Sequence, residues 1–313
     1  MKALFATTAL SAVLLAACGQ PAAEPEAEVD AGADAAAETP ADAVQDAEPE
    51  APAEPALEGD ALDAVLAHAR RDADRARDEF RHPGETLRFF EVEPNHTVVE
   101  ALPGGGWYSR ILVPYTQDEG RYLAINYPMP VYEQIFGDRL NDGLRARLEG
   151  WEESFPIQSA EWGGFADGAF RFGGVPEEFV GQADRVLYIR ALHNMARTGN
   201  LDVAVNDAYA LLRPGGLVGV VQHRAPYDEV DERADGNRGY LRQADVIDAF
   251  EAAGFELVAA SDINANPFDT ADYDVGVWAL PPSNRGDADE EDIPPLQSVG
   301  ESDRMTLKFR KPE

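Results

Sequence analysis

Residues Val98 to Tyr108, Val-Val-Glu-Ala-Leu-Pro-Gly-Gly-Gly-Trp-Tyr, constrain the fold of this chain more than any other stretch. An apolar pair closes on an acid, three consecutive glycines make a turn, and Ser109-Arg110-Ile111-Leu112 reads as the start of a helix. Strand, glycine turn and helix in that order bring backbone N–H groups and a helix N-terminus up to a nucleotide-like ligand. Glycine suits such a turn because positive φ is required and because a Cβ would hold the ligand off the backbone. A plain tight turn would use the same residues, so the rest of the chain has to decide between the two.

Strand-like and helix-like segments alternate along that chain. The leading segment Asp60 to Arg81 reads as a helix, with Leu62, Val65, Leu66 and Ala69 at helical spacing. The charges from Arg70 to Glu79 alternate in sign along its exposed face, and His82-Pro83-Gly84 stops it. Such a helix is expected over the ligand mouth or, alternatively, as a surface helix with Phe80 and Phe89 in the core. After the strand at Thr97–Glu100 come a helix from Trp107 to about Tyr115, a strand over Arg121–Tyr127, and one long helix from Val131 to about Trp151 with Ile135, Leu144 and Leu148 inward. Phe155 to Phe172 holds a weak strand, and Glu177 to Gln182 a helical turn. A firm strand covers Arg185–Ile189, a helix Leu201–Leu212, and a strand Leu217–Val221 beyond the Arg213-Pro214-Gly215-Gly216 break. A helix over Tyr240–Ala253 stopped by Gly254, a strand over Phe255–Ser261, and strands at Val275–Leu280 and Met305–Phe309 complete the pattern. The alternation predicts a doubly wound α/β fold around a mainly parallel seven-stranded sheet, with a C-terminal antiparallel strand.

The beginning of the chain reads as an address. Lys2 precedes an apolar, small-residue run from Ala3 to Ala17, too short to span a bilayer, and Leu15-Ala16-Ala17-Cys18 closes it. That ending resembles the lipobox of bacterial lipoproteins, which implies cleavage before Cys18 and lipidation of its thiol. Cys18 is the only cysteine, so it has no intramolecular disulfide partner. Gly19 after it, instead of aspartate, implies sorting to the outer membrane. Gly19 to Asp60 has thirteen acids, no base and almost no large apolar residue. It cannot bury enough surface to offset its ordering entropy and reads as a self-repelling tether with a reach of roughly 35 Å. The expected organisation is therefore a signal peptide over 1–17, an anchored acidic linker over 18–58 and one domain over 59–313, on the periplasmic face of the envelope. The formal charge is −32, and about −20 remains without the tether's acids. That balance excludes nucleic acid as a partner, because a polyanion needs a basic footprint.

The order of elements resembles the class I S-adenosylmethionine-dependent methyltransferases across Asp60 to Lys311. Two segments carry the resemblance: Val98-Val99-Glu100 with Gly104-Gly105-Gly106, and Leu211-Leu212-Arg213-Pro214-Gly215-Gly216-Leu217 before the fifth strand. Gly-Gly-Gly-Trp-Tyr, Ala191-Leu192-His193-Asn194, His223-Arg224-Ala225 and Glu301-Ser302-Asp303-Arg304-Met305 look like those of a group of exported bacterial proteins labelled predicted methyltransferases. The resemblance implies S-adenosylmethionine as cofactor, with Glu100 helping to hold the methionine amino group and Gly104, Gly105 and Gly106 admitting the cofactor backbone. Two departures stand out. Leu102 occupies a position where the family has glycine, and Asn126 stands where the family has the ribose-binding acid. Asn126 can still bind the cofactor by hydrogen-bonding one ribose hydroxyl, but an amide cannot accept from both with a full charge. The cofactor is also made in the cytosol, away from an exported protein.

Ligands of doubly wound sheets sit outside the carboxyl ends of the strands. His193 and His223 each follow such an end, and either is a candidate general base by its ordinary pKa or, alternatively, a loop-capping residue. Asn194 is a candidate for orienting the acceptor. Trp107 and Tyr108 either wall the pocket or fill the core. His68, His82 and His96 are read as structural. No His-x-His or His-x-x-x-His spacing supports a metal site, and Gly-x-Ser-x-Gly is missing. The leading expectation is methyl transfer to a small molecule or envelope component. The alternatives are a non-catalytic ligand-binding lipoprotein on the same fold and, more remotely, a nicotinamide-dependent oxidoreductase.

Overall fold

A computed structural model of the chain describes residues 60–285 and 296–313. The expected signal peptide, Cys18 and the expected acidic linker lie outside the described residues. Among those described, no helix is long and apolar enough to cross a membrane.

The leading segment is not one helix. Helix α1 (Ala61–Ala67), capped by Asp60, ends where His68 turns extended, and two single 3-10 turns follow before α2 (Asp78–Arg81). The cause lies in the charges. Arg71 turns inward, is fully buried, bonds the Leu66 carbonyl and forks onto Asp78 at 3.1 and 2.7 Å, while Arg75 bonds the Leu66 and Ala67 carbonyls. These guanidinium groups take the carbonyls that end α1, as cationic side chains do at helix C-termini. The face that alternates in sign is therefore partly internal. Pro83, expected to stop a helix, opens α3 (Pro83–Phe89), where its fixed φ suits the first turn. Phe80 is 36% exposed rather than core, whereas Phe89 packs partly buried against the core.

Strand β1 (Thr97–Ala101), α4 (Ser109–Thr116) and β2 (Arg121–Asn126) follow in the expected order. The predicted long helix is three: α5 (Met129–Phe136), α6 (Asp142–Glu149) and α7 (Trp151–Ser159). Gly137 adopts a conformation open only to glycine, and Asn141 caps α6 by accepting from the Leu144 N–H at 2.9 Å, so the axis restarts there. Val131 and Tyr132 are buried, while Ile135, Leu144 and Leu148 are only half-buried. Then come β3 (Gly168–Arg171), β4 (Ala183–Ile189), α8 (Leu192–Arg197), α9 (Leu201–Leu211), β5 (Leu212–His223), α10 (Asp231–Ala234), α11 (Gln243–Ala252), β6 (Glu256–Ser261) and β7 (Arg304–Arg310). Arg213 to Gly216 do not separate helix from strand. Leu212 already pairs with Ala183, and the four residues bulge before Leu217 pairs with Arg185.

The seven strands form one sheet in the order β3-β2-β1-β4-β5-β7-β6. All neighbours pair in parallel except β7, which runs antiparallel to both β5 and β6. The apolar run Val275–Leu280 joins neither edge strand of the sheet; its Val277 N–H bonds the Arg238 carbonyl at 2.9 Å, and Val277 packs with Ala225, Ala234 and Tyr240. The run forms a 3-10 turn at Gly276–Ala279 instead of the expected strand. One apolar layer, around Val99, Val186, Val218 and Phe250, covers the α8–α9–α11 side, and a second, around Val98, Ile111, Leu187 and Phe90, covers the α3–α4–α7 side. This is the expected class I methyltransferase-like Rossmann fold. The strand order reverses between β1 and β4, so the carboxyl ends of these two strands bound the crevice where such sheets bind ligands.

Candidate active site

The glycine turn rises from the end of β1. Leu102, the departure from the family pattern, adopts φ +53°, a left-handed conformation that costs an ordinary residue roughly 1–2 kcal/mol. Its N–H is fixed to the Ile125 carbonyl at 2.8 Å, so the backbone follows the course a glycine would take although the residue is leucine. Gly104 and Gly106 follow at φ +56° and +76°, and a Cβ on Gly106 would come within 2.9 Å of the Trp162 ring. A Cβ on Gly105 would meet nothing, so the crest of the turn faces open space. Arg110, paired with Asp74, braces the turn by donating to the Gly105 carbonyl at 2.8 Å.

Glu100 lies beneath the turn and is 3% exposed. Its Oε2 accepts from Ser109 Oγ at 2.7 Å and from the Tyr122 hydroxyl at 2.6 Å. Burial outweighs these bonds and pushes its carboxyl up to about 7. Asn126, at the end of β2, is 8% exposed. Its Oδ1 already accepts from the Tyr127 N–H and the Tyr132 hydroxyl, both at 2.8 Å, so its remaining capacity is as a donor through Nδ2.

The two sequence-predicted histidines meet. The rings of His193 (after β4) and His223 (at the end of β5) stand 5.3 Å apart, centroid to centroid, and are 5% and 7% exposed. Gln222 organises the pair. Its amide nitrogen donates to the Gly239 carbonyl at 2.9 Å, which leaves its oxygen facing both the His193 N–H at 3.2 Å and His193 Nδ1 at 3.3 Å. Nδ1 therefore carries the hydrogen, and Nε2 keeps its lone pair. His223 Nδ1 stands 2.5 Å from Ser302 Oγ. Burial drives His193 down to about 3 and His223 well below its ordinary value, so both rings are neutral at neutral pH. A base that weak is a poor proton acceptor there, and the geometry suits hydrogen bonding better than proton removal. The Trp278 ring lies 6.1 Å from His193 and the Tyr240 ring 6.2 Å from His223, centroid to centroid. Gly236, at φ +89°, lies so close over the His193 carbonyl that a Cβ would come within 2.5 Å of it. Asn194, next to His193, accepts at Oδ1 from Arg197 Nε at 3.0 Å within α8. Among the described residues, no group of three or more His, Cys, Asp or Glu side chains could hold a metal ion.

The residues that sequence reasoning missed are arginines. Arg190, next after β4, sits at φ +56° with its N–H bonded to the Val221 carbonyl at 2.6 Å. Arg81, from α2, is 2% exposed, and its Cζ lies 4.6 Å over the Trp107 ring, with Arg71 at 5.2 Å over the same ring. Trp107 and Tyr108 are thus buried, as the core reading expected, but the Trp107 ring carries cations. Glu301 accepts from Arg77 and Arg81 and pairs with Arg304 at 3.2 Å. Burial alone would raise its carboxyl, yet Arg81, Arg304 and Arg190 together bring it down to about 2. The Glu301–Met305 motif was visible in the sequence. Its purpose was not, because Arg77, Arg81 and Arg190 are distant from it along the chain.

No protein-family model matches this chain, and no curated protein matches it. Several solved structures are similar to it. The Burkholderia thailandensis 1,6-didemethyltoxoflavin-N1-methyltransferase, with bound 1,6-didemethyltoxoflavin and S-adenosylhomocysteine, is 13% identical over 81% of this chain and 87% of its own, at a TM-score of 0.41. The N-methyltransferase NodS from Bradyrhizobium japonicum WM9 is 13% identical over 78% of this chain and 99% of its own, at 0.41. The 4+2 cyclase SpnF is 14% identical over 74% of this chain and 80% of its own, at 0.44. Similarity at that level carries no activity across, and the fold rests on the sheet order and strand senses described above.

Proposed function

We propose that this protein transfers a methyl group from S-adenosylmethionine to a small molecule or envelope component. The observation that carries the reading is the turn after β1. It keeps the left-handed course of a glycine motif through Leu102, Gly104 and Gly106 at the point where the strand order reverses. The residues present fit the cofactor in part. Among the described residues Glu100 Oε1 takes part in no hydrogen bond and is available to a cationic amino group, while the open crest at Gly104 and Gly105 leaves room for the cofactor backbone. Asn126 Nδ2 would donate to one ribose hydroxyl. When bound, the cofactor supplies an electrophilic methyl group on a sulfonium. The contribution of this chain is then to bind, orient and exclude water. His193 Nε2, bare and aimed by Gln222, would accept the acceptor's hydroxyl or amine hydrogen and fix its lone pair. His223, held at Ser302, would brace the second side.

By this reading the enzyme works in the cell envelope, tethered through Cys18, with no nucleic acid as partner. The full chain is expected to gain thermal stability with S-adenosylmethionine, by about 2.7 kcal/mol at a hundredfold excess over the dissociation constant. Glu100→Ala should abolish that gain. A melting curve unmoved by millimolar cofactor in the wild type would sink the proposal. A ligand-binding protein without catalysis, the second reading, draws its support from Asn126, whose acceptor is already spent within the protein.

A further inference from the structure

The six buried side-chain polar atoms without a hydrogen-bond partner among the described residues are Arg71 Nε, Arg77 Nη2, Arg81 Nη1 and Nη2, Trp107 Nε1 and Arg190 Nε. All six are donors, and all belong to the neighbourhood of the Trp107 ring and Glu301. Buried polar atoms are ordinarily paired, and leaving a donor of a charged group bare is costly. Here the bare donors cluster. Four guanidinium groups (Arg77, Arg81, Arg190 and Arg304) surround one carboxylate, Glu301. Arg304 has other partners, the Ser302 and Phe80 carbonyls at 3.0 and 3.1 Å, whereas Arg81 turns two bare nitrogens away from its bonds to Glu301. Burial lowers Arg81 to about 9, and the charge of Arg190 pushes it further in the same direction. The cluster is not sealed, because the Arg77 side chain is 30% exposed and Arg190 is half-buried.

We infer that Arg77, Arg81 and Arg190, with the Trp107 Nε1–H, form a binding site for an oxyanion, a carboxylate or phosphate carried by a small-molecule ligand. Guanidinium forks match such groups in geometry and charge, and a single anion would satisfy donors that the protein leaves bare. Arg304 pairs with His223 across β5 and β7, and the Arg190 N–H bonds the Val221 carbonyl two residues before that histidine, so the cluster adjoins the histidine pair. A ligand held by its oxyanion would therefore present the rest of its body to the histidines. The inference stands on the arginine cluster and does not require the cofactor reading.

The test is thermal denaturation and calorimetry of the full chain at fixed ionic strength, with inorganic phosphate and succinate as probes against sodium chloride. At least one probe is expected to bind and to raise the melting temperature by a few degrees. Succinate alone would mark a carboxylate site, and phosphate alone a phosphate site. Arg190→Met and Arg77→Gln should each lose that response. Arg88→Gln, on α3 and outside the cluster, should keep it. Without probe, Arg190→Met should melt above the wild type, because it removes a repelling charge whose donor is unpaired. Wild-type protein that binds neither probe, or an Arg190→Met variant that melts lower and still responds, overturns the inference. If Arg190→Met fails to fold, retention of the response by Arg77→Gln does the same. S-adenosylmethionine titrated into the wild type separates the two proposals: oxyanion binding without cofactor binding would overturn the methyl-transfer reading alone.

Discussion

The two ends of the sheet both bury cations, and they treat them differently. At the amino ends, Arg185 is 6% exposed, yet its guanidinium donates to the Phe90, Glu91 and Asp184 carbonyls at 2.8 to 2.9 Å, and Lys308 pairs with Glu91 at 2.6 Å. Among the described residues, no buried side-chain polar atom at that end is left without a partner. At the carboxyl ends, Arg81 and Arg190 keep bare nitrogens and repel one another. Burial of charge is thus common to both ends, and only the pairing differs. A satisfied buried cation holds a fold together, whereas an unsatisfied one is a cost that persists where something else is to be bound.

The largest effect expected on that contrast comes from Glu100, an acid kept at the carboxyl end with its pKa pushed up to about 7. The unfolded chain releases this proton near the ordinary glutamate value, so the folded state holds more protons between pH 4.5 and 7. Stability from this group is present in full below that window and is lost as pH rises through it. Glu100→Gln keeps both hydrogen bonds and should be more stable than the wild type at pH 8 by about 3 kcal/mol, with the two converging near pH 4. Denaturant titrations at both pH values check it, and equal stabilities at pH 8 would show that Glu100 is ionised at no cost.

Next in size is Arg185→Met, which strips donors from three carbonyls and should destabilise by about 2 kcal/mol. Its counterpart at the other end, Arg190→Met, should move stability in the opposite direction by about 1 kcal/mol, since it removes a charge with an unpaired donor. If both substitutions destabilise equally in urea titrations, the contrast between the two ends is broken. The smallest effect belongs to Leu102→Gly. Relief of the left-handed strain is offset by lost packing and greater unfolded-state entropy, so the change should stay within about 1 kcal/mol. S-adenosylmethionine binding measured by calorimetry should survive this change, and its loss would mean that the leucine side chain itself shapes the cofactor site.

Much of the fold was legible from local pattern. Glycine turn, helix spacing and apolar runs marked β1, β2, β4, β5 and β7 to within a residue or two, apart from the Leu212–Gly216 extension of β5. The errors came where a local pattern has two outcomes. Val275–Leu280 is apolar enough for a strand, but Val277 is buried in a separate small cluster with Ala225, Ala234 and Tyr240, a contact no local pattern announces. Asp60 to Arg81 has helical spacing, but Arg71 and Arg75 end α1 by bonding its carbonyls. At the site, positions after strand ends were readable, and His193 and His223 do meet. Their role was not readable, because an ordinary histidine pKa says nothing of burial against Trp278 and Tyr240.

The sequence by itself determined the alternation of elements, the glycine turn and the chemical inventory at strand ends, since each follows from interactions within a few residues. The tertiary structure alone decided which charges are paired. Arg77 and Arg81 come from the leading segment, Arg190 from the end of β4, and Glu301 and Arg304 from the approach to β7. Their shared carboxylate and bare donors exist only because the crossovers of the sheet bring those segments to one end. Charge pairing depends on distance in space and on exclusion of water, and neither is written in the local order of residues.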